Sequence, residues 1–260
     1  MQLTFLGTGT SQGVHMIGCR CPVCTSADPR DKRMRTSAAI RFSTGQVAVI
    51  DTSPEFRVCA LAWELDRVDA VLYTHGHADH IMGLDDLRPF NQRQNAIAPC
   101  YGDAATIAVL RRTFGYAEIP AGGSAADRHP DRPGVQFNTV AGPFDLFGRS
   151  VVPVPLPHAS ANSVGYRIGR LAYCTDCSSV PDDAVRQLAG LDTLVLGMLR
   201  ERPHPAHMHL KAALAAAGRI GARQTFFVHM SHDISHAACS AALPPRFHLA
   251  HDGLTVTVPE

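Results

Sequence analysis

Short apolar runs separated by turn-forming residues recur along the whole chain. Residues 2–6 alternate in the manner of a strand and lead into a glycine-rich turn from Gly7 to Gly13. Similar runs predict further strands at 38–42, 46–50, 70–73, 135–138, 151–156, 163–168, 171–173, 193–196, 225–228 and 254–258. Helical spacing predicts helices over 54–65, 103–114, 182–188 and 209–217. Because strands dominate each half and helices alternate with them, we expect a mixed α/β fold. Two sheets packed face to face with helices outside fit this order better than a doubly wound parallel sheet.

Two segments interrupt the pattern. Residues 14–36 carry a cluster of cysteines among many Arg, Asp and Pro residues. A loop of this length usually needs a cross-link to hold it in place. Residues 115–133 are rich in Gly, Pro, Ala and Asp, which predicts an insertion or a lid. No biased tract marks a domain boundary, so we expect one domain over residues 1–260.

The composition limits the kinds of binding partner and the cellular compartment that we expect for this protein. Apolar residues make up 45% of the chain and charged residues 18%, which is typical of a globular protein. The net charge is only +1, whereas a protein that binds a polynucleotide through its phosphates usually has a clear excess of basic residues. The start of the chain has no signal-peptide pattern, and no run approaches the ~18 apolar residues of a membrane span. We therefore expect a cytoplasmic protein with reduced thiols and no membrane partner.

The most informative motif follows the strand predicted at 70–73 and reads Thr74-His75-Gly76-His77-Ala78-Asp79-His80. Its three histidines and one aspartate are potential metal ligands, grouped at a density that packing alone rarely explains. Four ligands from one loop cannot fill the shells of two metals, so a dinuclear site needs others. Three candidates also follow predicted strands, namely His158, Asp176 and His229. Imidazole with carboxylate, and no cysteine in the motif, indicates zinc or manganese rather than iron–sulfur chemistry.

A second metal site is predicted by the spacing C-x-C-x-x-C of Cys19, Cys21 and Cys24. Three thiolates can occupy three corners of a tetrahedral structural zinc site, which would fasten the 14–36 loop. The fourth ligand has many candidates. The best is His232, since it lies three residues after His229 and one segment could then serve both sites.

The motif H-x-H-x-D-H and the order of the later candidates resemble the metallo-β-lactamase superfamily. The resemblance implies a four-layer αββα sandwich of two mixed sheets. It also implies two divalent metals, one held by His75, His77 and His158 and the other by Asp79, His80 and His229, with Asp176 bridging both. Asp51 ends the strand at 46–50 and matches the aspartate that supports the motif loop without being a ligand.

The cysteine spacing, after a G-T-G-x-x-x-G turn and together with H-x-S-H near the end, resembles a narrower group. This group is the PhnP-like cyclic phosphodiesterase branch of the carbon–phosphorus lyase pathway. The resemblance assigns Cys19, Cys21, Cys24 and His232 to structural zinc. Proteins of cofactor biosynthesis carry a comparable cysteine cluster, so this site alone does not identify a substrate.

The candidate catalytic residues are Asp79 and a histidine that protonates the leaving alkoxide. The branch resemblance favours His207, although His204 and His209 compete for the role. Arg88 is a candidate for phosphate binding, because guanidinium groups match phosphate oxygens; an ion pair of Arg88 with Asp85 or Asp86 is the alternative.

Together these features predict a metal-dependent phosphodiesterase that hydrolyses a small, cyclic phosphodiester by attack of a hydroxide bridging two metals. Two metals about 3.5–4 Å apart can activate water and clamp the attacking and leaving oxygens of a phosphoryl displacement. An RNA-end-processing nuclease of the same fold would need a basic stripe. A thioester or lactone hydrolase and a non-catalytic metal-dependent binding protein are further alternatives. We expect a small-molecule substrate, no polynucleotide partner, and a homodimer.

Overall fold

Fourteen strands and seven α-helices are present in a computed structural model that describes residues 1–159 and 161–260. The strands are β1 (Gln2–Gly7), β2 (Ser37–Arg41), β3 (Val47–Ile50), β4 (Ala70–Leu72), β5 (Ala98–Gly102), β6 (Val135–Thr139), β7 (Phe144–Leu146), β8 (Arg149–His158), β9 (Ala161–Ile168), β10 (Leu171–Cys174), β11 (Thr193–Gly197), β12 (Gln224–Val228), β13 (Phe247–Leu249) and β14 (Thr255–Thr257). The helices are α1 (Phe56–Ala62), α2 (Ala78–Ile81), α3 (Arg88–Gln94), α4 (Ala104–Phe114), α5 (Asp182–Gln187), α6 (Leu210–Ile220) and α7 (His236–Ala242). Short 3-10 turns lie at Pro29–Asp31, Leu84–Leu87, Gly115–Ala117 and Ala125–Asp127.

The strands form two mixed sheets of seven strands each. One sheet has the order β14-β1-β2-β3-β4-β5-β6 and the other β13-β12-β11-β10-β9-β8-β7. In the first sheet the pairs from β14 to β3 are antiparallel and those from β3 to β6 are parallel. In the second sheet the pairs from β13 to β10 are parallel and those from β10 to β7 are antiparallel. The carboxyl ends of parallel strands meet at one edge of a sheet, where ligands usually bind.

Three apolar clusters define four layers. Between the sheets, Phe5 and Ile40 of the first sheet belong to the same cluster as Val195 of the second. Outside the first sheet, Val71 packs in a cluster with residues of α1 and α4. Outside the second sheet, Leu196 packs with residues of α5, α6 and α7. The predicted αββα sandwich of two mixed sheets is therefore confirmed.

The structure contains elements that the hydrophobic pattern did not predict, namely β5, β7, β13, α3 and α7. The strands β7 and β13 have three residues each, which is too short for a pattern to develop. The motif loop also differs from the expectation, because Asp79 and His80 lie on the short helix α2 rather than on irregular backbone.

The segment 14–36 is fastened to the glycine-rich turn. Val14 and Arg33 exchange backbone hydrogen bonds of 2.8 and 2.6 Å, and the amide of Gly9 donates to the carbonyl of Met34 at 2.7 Å. A Cβ atom on Gly9 would lie 2.8 Å from the carbonyl oxygen of Arg33, so the close approach of the two segments requires glycine here. Apart from the 3-10 turn at Pro29–Asp31, segment 14–36 has no helix or strand, as expected.

The segment 115–133 contains two 3-10 turns and contacts α3. Gln92 donates to the carbonyl of Pro130, and Asn91 exchanges hydrogen bonds with the backbone of Gly134, the residue directly after the segment. Its role as a lid stays a prediction. Among the described residues, every helix falls short of the length and apolar character that a membrane crossing requires.

Candidate metal centre

The side chains predicted to bind the two metals lie beyond the carboxyl ends of strands from both sheets. His75 and His77 follow β4, His158 ends β8, and Asp176 and His229 follow β10 and β12. In the motif, Gly76 has an ordinary backbone conformation rather than the left-handed one that would help a turn. A Cβ atom at this position would lie 3.0 Å from the side chain of Val109 on α4, so glycine is required for space.

Three imidazoles form the first group of donors. Nδ1 of His77 lies 2.9 Å from Nε2 of His75 and 3.4 Å from Nε2 of His158. His75 and His158 are buried, whereas His77 is exposed. This group is therefore accessible to a ligand from the side of His77.

Two carboxylates and two imidazoles form the second group. Oδ2 of Asp79 lies 3.2 Å from Nε2 of His80 and 3.7 Å from Nε2 of His229. Oδ2 of Asp176 lies 3.5 and 3.2 Å from the same two nitrogens. Oδ2 of Asp176 also lies 3.8 Å from Nε2 of His75 and 3.9 Å from that of His158. One carboxylate oxygen thus stands between the two groups.

These separations fit ligands that share a metal ion. Zn–N and Zn–O distances of about 2.0–2.1 Å at tetrahedral angles give ligand atoms about 3.3 Å apart. The donor atoms within each group scatter about that value. Nε2 of His80 and Nε2 of His229 are buried without a hydrogen-bond partner among the described residues. Buried polar atoms rarely lack a partner, so these two nitrogens also fit a bound metal.

The ionisation of the carboxylates and imidazoles is coupled. Burial alone would raise the pKa of Asp176, but His229 and His80 hold it well below its usual value. Burial would also raise the pKa of Asp79, but the same two histidines lower it. Burial lowers the pKa of His75, and the charge of His80 lowers it further. The cluster therefore favours ionised carboxylates beside a neutral His75, which are the forms that bind metal.

Surrounding groups orient the donors. Asp51 Oδ2 lies 2.7 Å from Nδ1 of His80, and the Asp51 carboxylate accepts hydrogen bonds from the amide and hydroxyl of Thr74 at 2.8 and 2.7 Å. Nδ1 of His158 lies 3.1 Å from the carbonyl of Ala206. Asp51 thus stands where the sequence predicts a supporting residue. Thr74 was not assigned a role from the sequence, although it precedes His75.

Backbone strain accompanies these positions. Asp51, Asp176 and His229 have φ angles of 58°, 50° and 63°. Such left-handed conformations cost non-glycine residues about 1–3 kcal/mol each and persist where the surrounding structure enforces them. All three turn the chain just after a strand and direct a side chain toward the cluster.

A second cluster joins Cys19, Cys21 and Cys24 to His232. The three Sγ atoms lie 3.2, 3.4 and 3.7 Å from Nδ1 of His232. Tetrahedral zinc with Zn–S of about 2.3 Å and Zn–N of about 2.0–2.1 Å predicts separations of about 3.6 Å. The backbone amide of Cys24, together with His232, lowers the pKa of Cys21 to about 6 against the effect of burial. A lowered pKa favours the thiolate, which is the metal-binding form.

Of the three candidate acids, His207 lies at the metal cluster. Its Nδ1 is 4.0 Å from Oδ2 of Asp176, and its ring stacks on that of His229 with centroids 4.8 Å apart. Burial and the charge of His229 lower the pKa of His207 to about 3. The ring of His204 is 5.2 Å from that of His207, and His209 is the N-cap residue of α6.

Arg88 lies elsewhere. It lines a separate cavity with Arg57 and Asp85, and its Nη1 donates to the carbonyl of Asp131 at 2.9 Å. Among the described residues, neither Asp85 nor Asp86 forms an ion pair with Arg88. The structure therefore does not bring Arg88 to the metal cluster, because α3 directs it toward the segment 115–133.

Known proteins share this fold. Residues 48–230 match the family described as the beta-lactamase superfamily domain. A diphosphatase from the PhnP family, known from its crystal structure, is 42% identical with a TM-score of 0.90, covering 99% of this chain and 98% of that one. Zinc-bound PqqB from Methylobacterium extorquens shares the fold at 22% identity, with a TM-score of 0.78 and coverage of 99% and 100%. The octanoyltransferase of Porphyromonas gingivalis is 35% identical over 273 residues, which cover 100% of this chain and 52% of that protein. The chain thus spans about half the length of that relative.

The chain therefore belongs to the beta-lactamase superfamily, and within it to the PhnP family. It is a hydrolase of the metallo-β-lactamase fold, and this fold implies a divalent metal at the clustered donors. Both levels of the resemblance in the sequence are confirmed.

Proposed function

We propose that the chain is a dinuclear metal-dependent phosphodiesterase that hydrolyses a small, cyclic phosphodiester. The observation that carries the proposal is the shared position of Asp176, whose Oδ2 lies within 3.9 Å of donors in both groups. In this proposal His75, His77 and His158 hold one zinc or manganese ion, while Asp79, His80 and His229 hold the other. Asp176 contacts both. Two divalent metals suit phosphoryl displacement, in which charge develops on the attacking and the leaving oxygen.

Bound metals would supply Lewis acidity that lowers the pKa of water and polarises the phosphoryl group. The oxygen of one water forms a bond to phosphorus, and the bond from phosphorus to the leaving oxygen breaks. We assign the proton released by the water to the carboxylate of Asp79. The negative charge of a bound phosphodiester would favour the protonated form of His207. In that form His207 gives a proton to the leaving oxygen, so that a cyclic diester opens to a monoester with a free hydroxyl. His207 is favoured over His209 because its ring contacts His158 and His229 in the cluster.

The four groups Cys19, Cys21, Cys24 and His232 are assigned to one structural zinc ion. This ion would join the 14–36 loop to the segment that carries His229, three residues before His232. The proposal therefore includes three metals per chain, two catalytic and one structural.

The PhnP-family neighbour is a diphosphatase, and this activity supports cleavage of a phosphorus–oxygen bond by the present chain as well. The net charge of +1 speaks against the RNA-end-processing nuclease. The thioester or lactone hydrolase uses the same donors, so a substrate panel has to separate it. A cytoplasmic homodimer remains our expectation.

The test is turnover of bis(p-nitrophenyl) phosphate by protein loaded with manganese or zinc. We expect release of p-nitrophenol with at least one of the metals, and loss of release in Asp176→Ala together with lost metal. A panel of thioesters and lactones at the same enzyme concentration provides the comparison. Full metal loading with no phosphodiester turnover would overturn the proposal, and turnover of a thioester or lactone alone would replace it.

A further inference from the structure

Four large apolar side chains are exposed on or beside helix α1. Val58 and Leu61 lie three positions apart, on one side of the helix, and are 49% and 65% exposed. Trp63, the C-cap residue, is 41% exposed, and Met34, which lines a cavity together with Val58 and Trp63, is 39% exposed. Single exposed apolar residues are common, but a contiguous group of them marks an interaction site. We call these four residues the α1 face.

Two cavities flank the α1 face. Val58, Ala62 and Trp63 line one of about 460 Å³, and Ala60 and Leu61 line another of about 370 Å³. The exposed side of α1 is therefore a ridge with a groove on either side. Helices pack by seating the ridges of one helix in the grooves of another, so this relief suits a second helix.

Opposite charges stand at the two ends of the α1 face. Arg57 is the second residue of α1, and Glu64 follows the C-cap residue, which places them about 10 Å apart along the helix. Both side chains are exposed, and among the described residues neither takes part in an ion pair. Burial raises the pKa of Asp86, and the charge of nearby Arg57 offsets part of that rise without an ion pair between the two. Each end of the face thus retains a charge for a partner.

A two-fold axis makes these charges complementary. In a symmetric dimer the same surface meets itself, so that residue i contacts residue j of the partner and residue j contacts residue i. With the axis across the middle of α1, the two helices run antiparallel and Leu61 lies near the axis. Arg57 of each protomer then lies opposite the partner's Glu64. A parallel arrangement would instead bring the two Arg57 side chains together, and like charges at an interface are costly.

We propose that the α1 face is the interface of a homodimer, with Val58 and Leu61 at its centre and two Arg57–Glu64 pairs at its ends. The occupant of this face is thus a second copy of the chain. The proposal gives the expected homodimer its surface. It does not rest on the proposed hydrolysis, because α1 packs outside the first sheet and carries none of the clustered metal donors.

Sedimentation velocity of the metal-loaded protein over a series of concentrations measures the dissociation constant of the dimer. We expect the wild type to dimerise. Leu61→Asp places a charge near the axis, so the dissociation constant should rise about 30-fold or more, as for residues at the centre of an interface. Ile17→Asp, at an apolar side chain that is 97% exposed and lies outside the α1 face, is the matched control and should leave the constant unchanged.

A charge exchange tests the antiparallel arrangement. Arg57→Glu and Glu64→Arg each bring like charges together at both ends of the dimer, so each variant alone should shift toward monomer. An equimolar mixture of the two should form a heterodimer, because one end then keeps the native pair and the other end has the same pair with its charges exchanged. Arg112→Glu, at an exposed arginine of α4, is the control and should dimerise as the wild type does.

A wild type that stays monomeric at every concentration would overturn the proposal. So would a dimer that Leu61→Asp leaves unchanged, because another surface would then hold it together, and so would a mixture that associates no better than the single variants. Thermal midpoints show whether Leu61→Asp is folded; if it is not, the charge exchange decides. None of these measurements uses hydrolysis, so the dimer interface and the proposed function can fail separately.

Discussion

Oδ2 of Asp51 lies 2.7 Å from Nδ1 of His80, and both side chains are fully buried. The same carboxylate accepts two hydrogen bonds from Thr74, which precedes the motif histidines. Asp51 therefore fixes the ring of His80 so that Nε2 faces Asp79 and Asp176. It links the end of β3 to the metal cluster without belonging to it.

Substituting Asp51 should therefore weaken metal binding. In Asp51→Asn we expect metal affinity to fall about 10- to 100-fold, as is common when the partner of a metal-binding histidine is lost. Metal retained after dialysis against a competing chelator measures the change. Asp66→Asn, on an exposed carboxylate that pairs with Arg41, is the control and should bind metal normally. Equal retention by both variants would contradict the supporting role of Asp51.

Loss of His207 should depend on the leaving group. A general acid contributes about 10²- to 10⁴-fold, and it matters most when the leaving oxygen is a poor one. His207→Ala should therefore slow hydrolysis of a diester with an alkoxide leaving group far more than hydrolysis of bis(p-nitrophenyl) phosphate. Metal content should stay constant, and His248→Ala, on an exposed ring of β13, should change neither rate. Equal slowing of both substrates, or lost metal, would rule out the role as acid.

The cysteine cluster should couple stability to one metal ion. In Cys24→Ser we expect about one zinc equivalent per chain to be lost and the thermal midpoint to fall, because a structural zinc site contributes directly to folding. Elemental analysis and thermal unfolding measure these effects. Cys239→Ser, on a buried thiol outside the cluster, should retain the full metal content. Retention of all zinc by Cys24→Ser would speak against this site.

The buried ion pair of Arg33 and Asp31 should be needed for stability. Nη2 of Arg33 lies 3.0 Å from Oδ1 of Asp31, and Nη1 donates to the carbonyl of Ser231 at 3.1 Å. Removing one partner of a buried pair leaves an uncompensated charge, so Asp31→Asn should lower the free energy of unfolding by about 3–5 kcal/mol. Urea unfolding of the metal-loaded protein measures the loss. Asp28→Asn, at a solvent-exposed pair with Arg30, should change stability little, and an equally small effect of Asp31→Asn would refute the argument.

The buried carboxyl of Asp252 should make stability depend on pH. Burial raises the pKa of Asp252 to about 7, although Met34 and Thr8 donate hydrogen bonds to it. A carboxyl whose pKa rises on folding contributes stability that is complete below its unfolded pKa of 3.8 and is lost as the pH rises through about 7. Unfolding free energies of the wild type and Asp252→Asn, measured at a series of pH values, isolate this effect. The wild type should lose stability relative to the variant between about pH 4 and 7. A constant difference would argue against the raised pKa.

The sequence by itself determined the class of fold and the chemistry of the principal site. The strands that carry His158, Asp176 and His229 were predictable because local alternation of apolar residues sets a strand and because the ligand types follow at its end. The motif from His75 to His80 was equally predictable, because its potential ligands are neighbours in the chain. These features depend on residues that are close in the chain.

Contacts between distant residues were decided only by the tertiary structure. Cys19 and His232 are 213 positions apart, and the sequence offered His232 only as the best of many candidates for the fourth ligand. Arg88 was the candidate for phosphate binding in the sequence, yet α3 directs it to segment 115–133, away from the metal cluster. The packing of the two sheets sets which strand ends meet, and no local pattern records that arrangement.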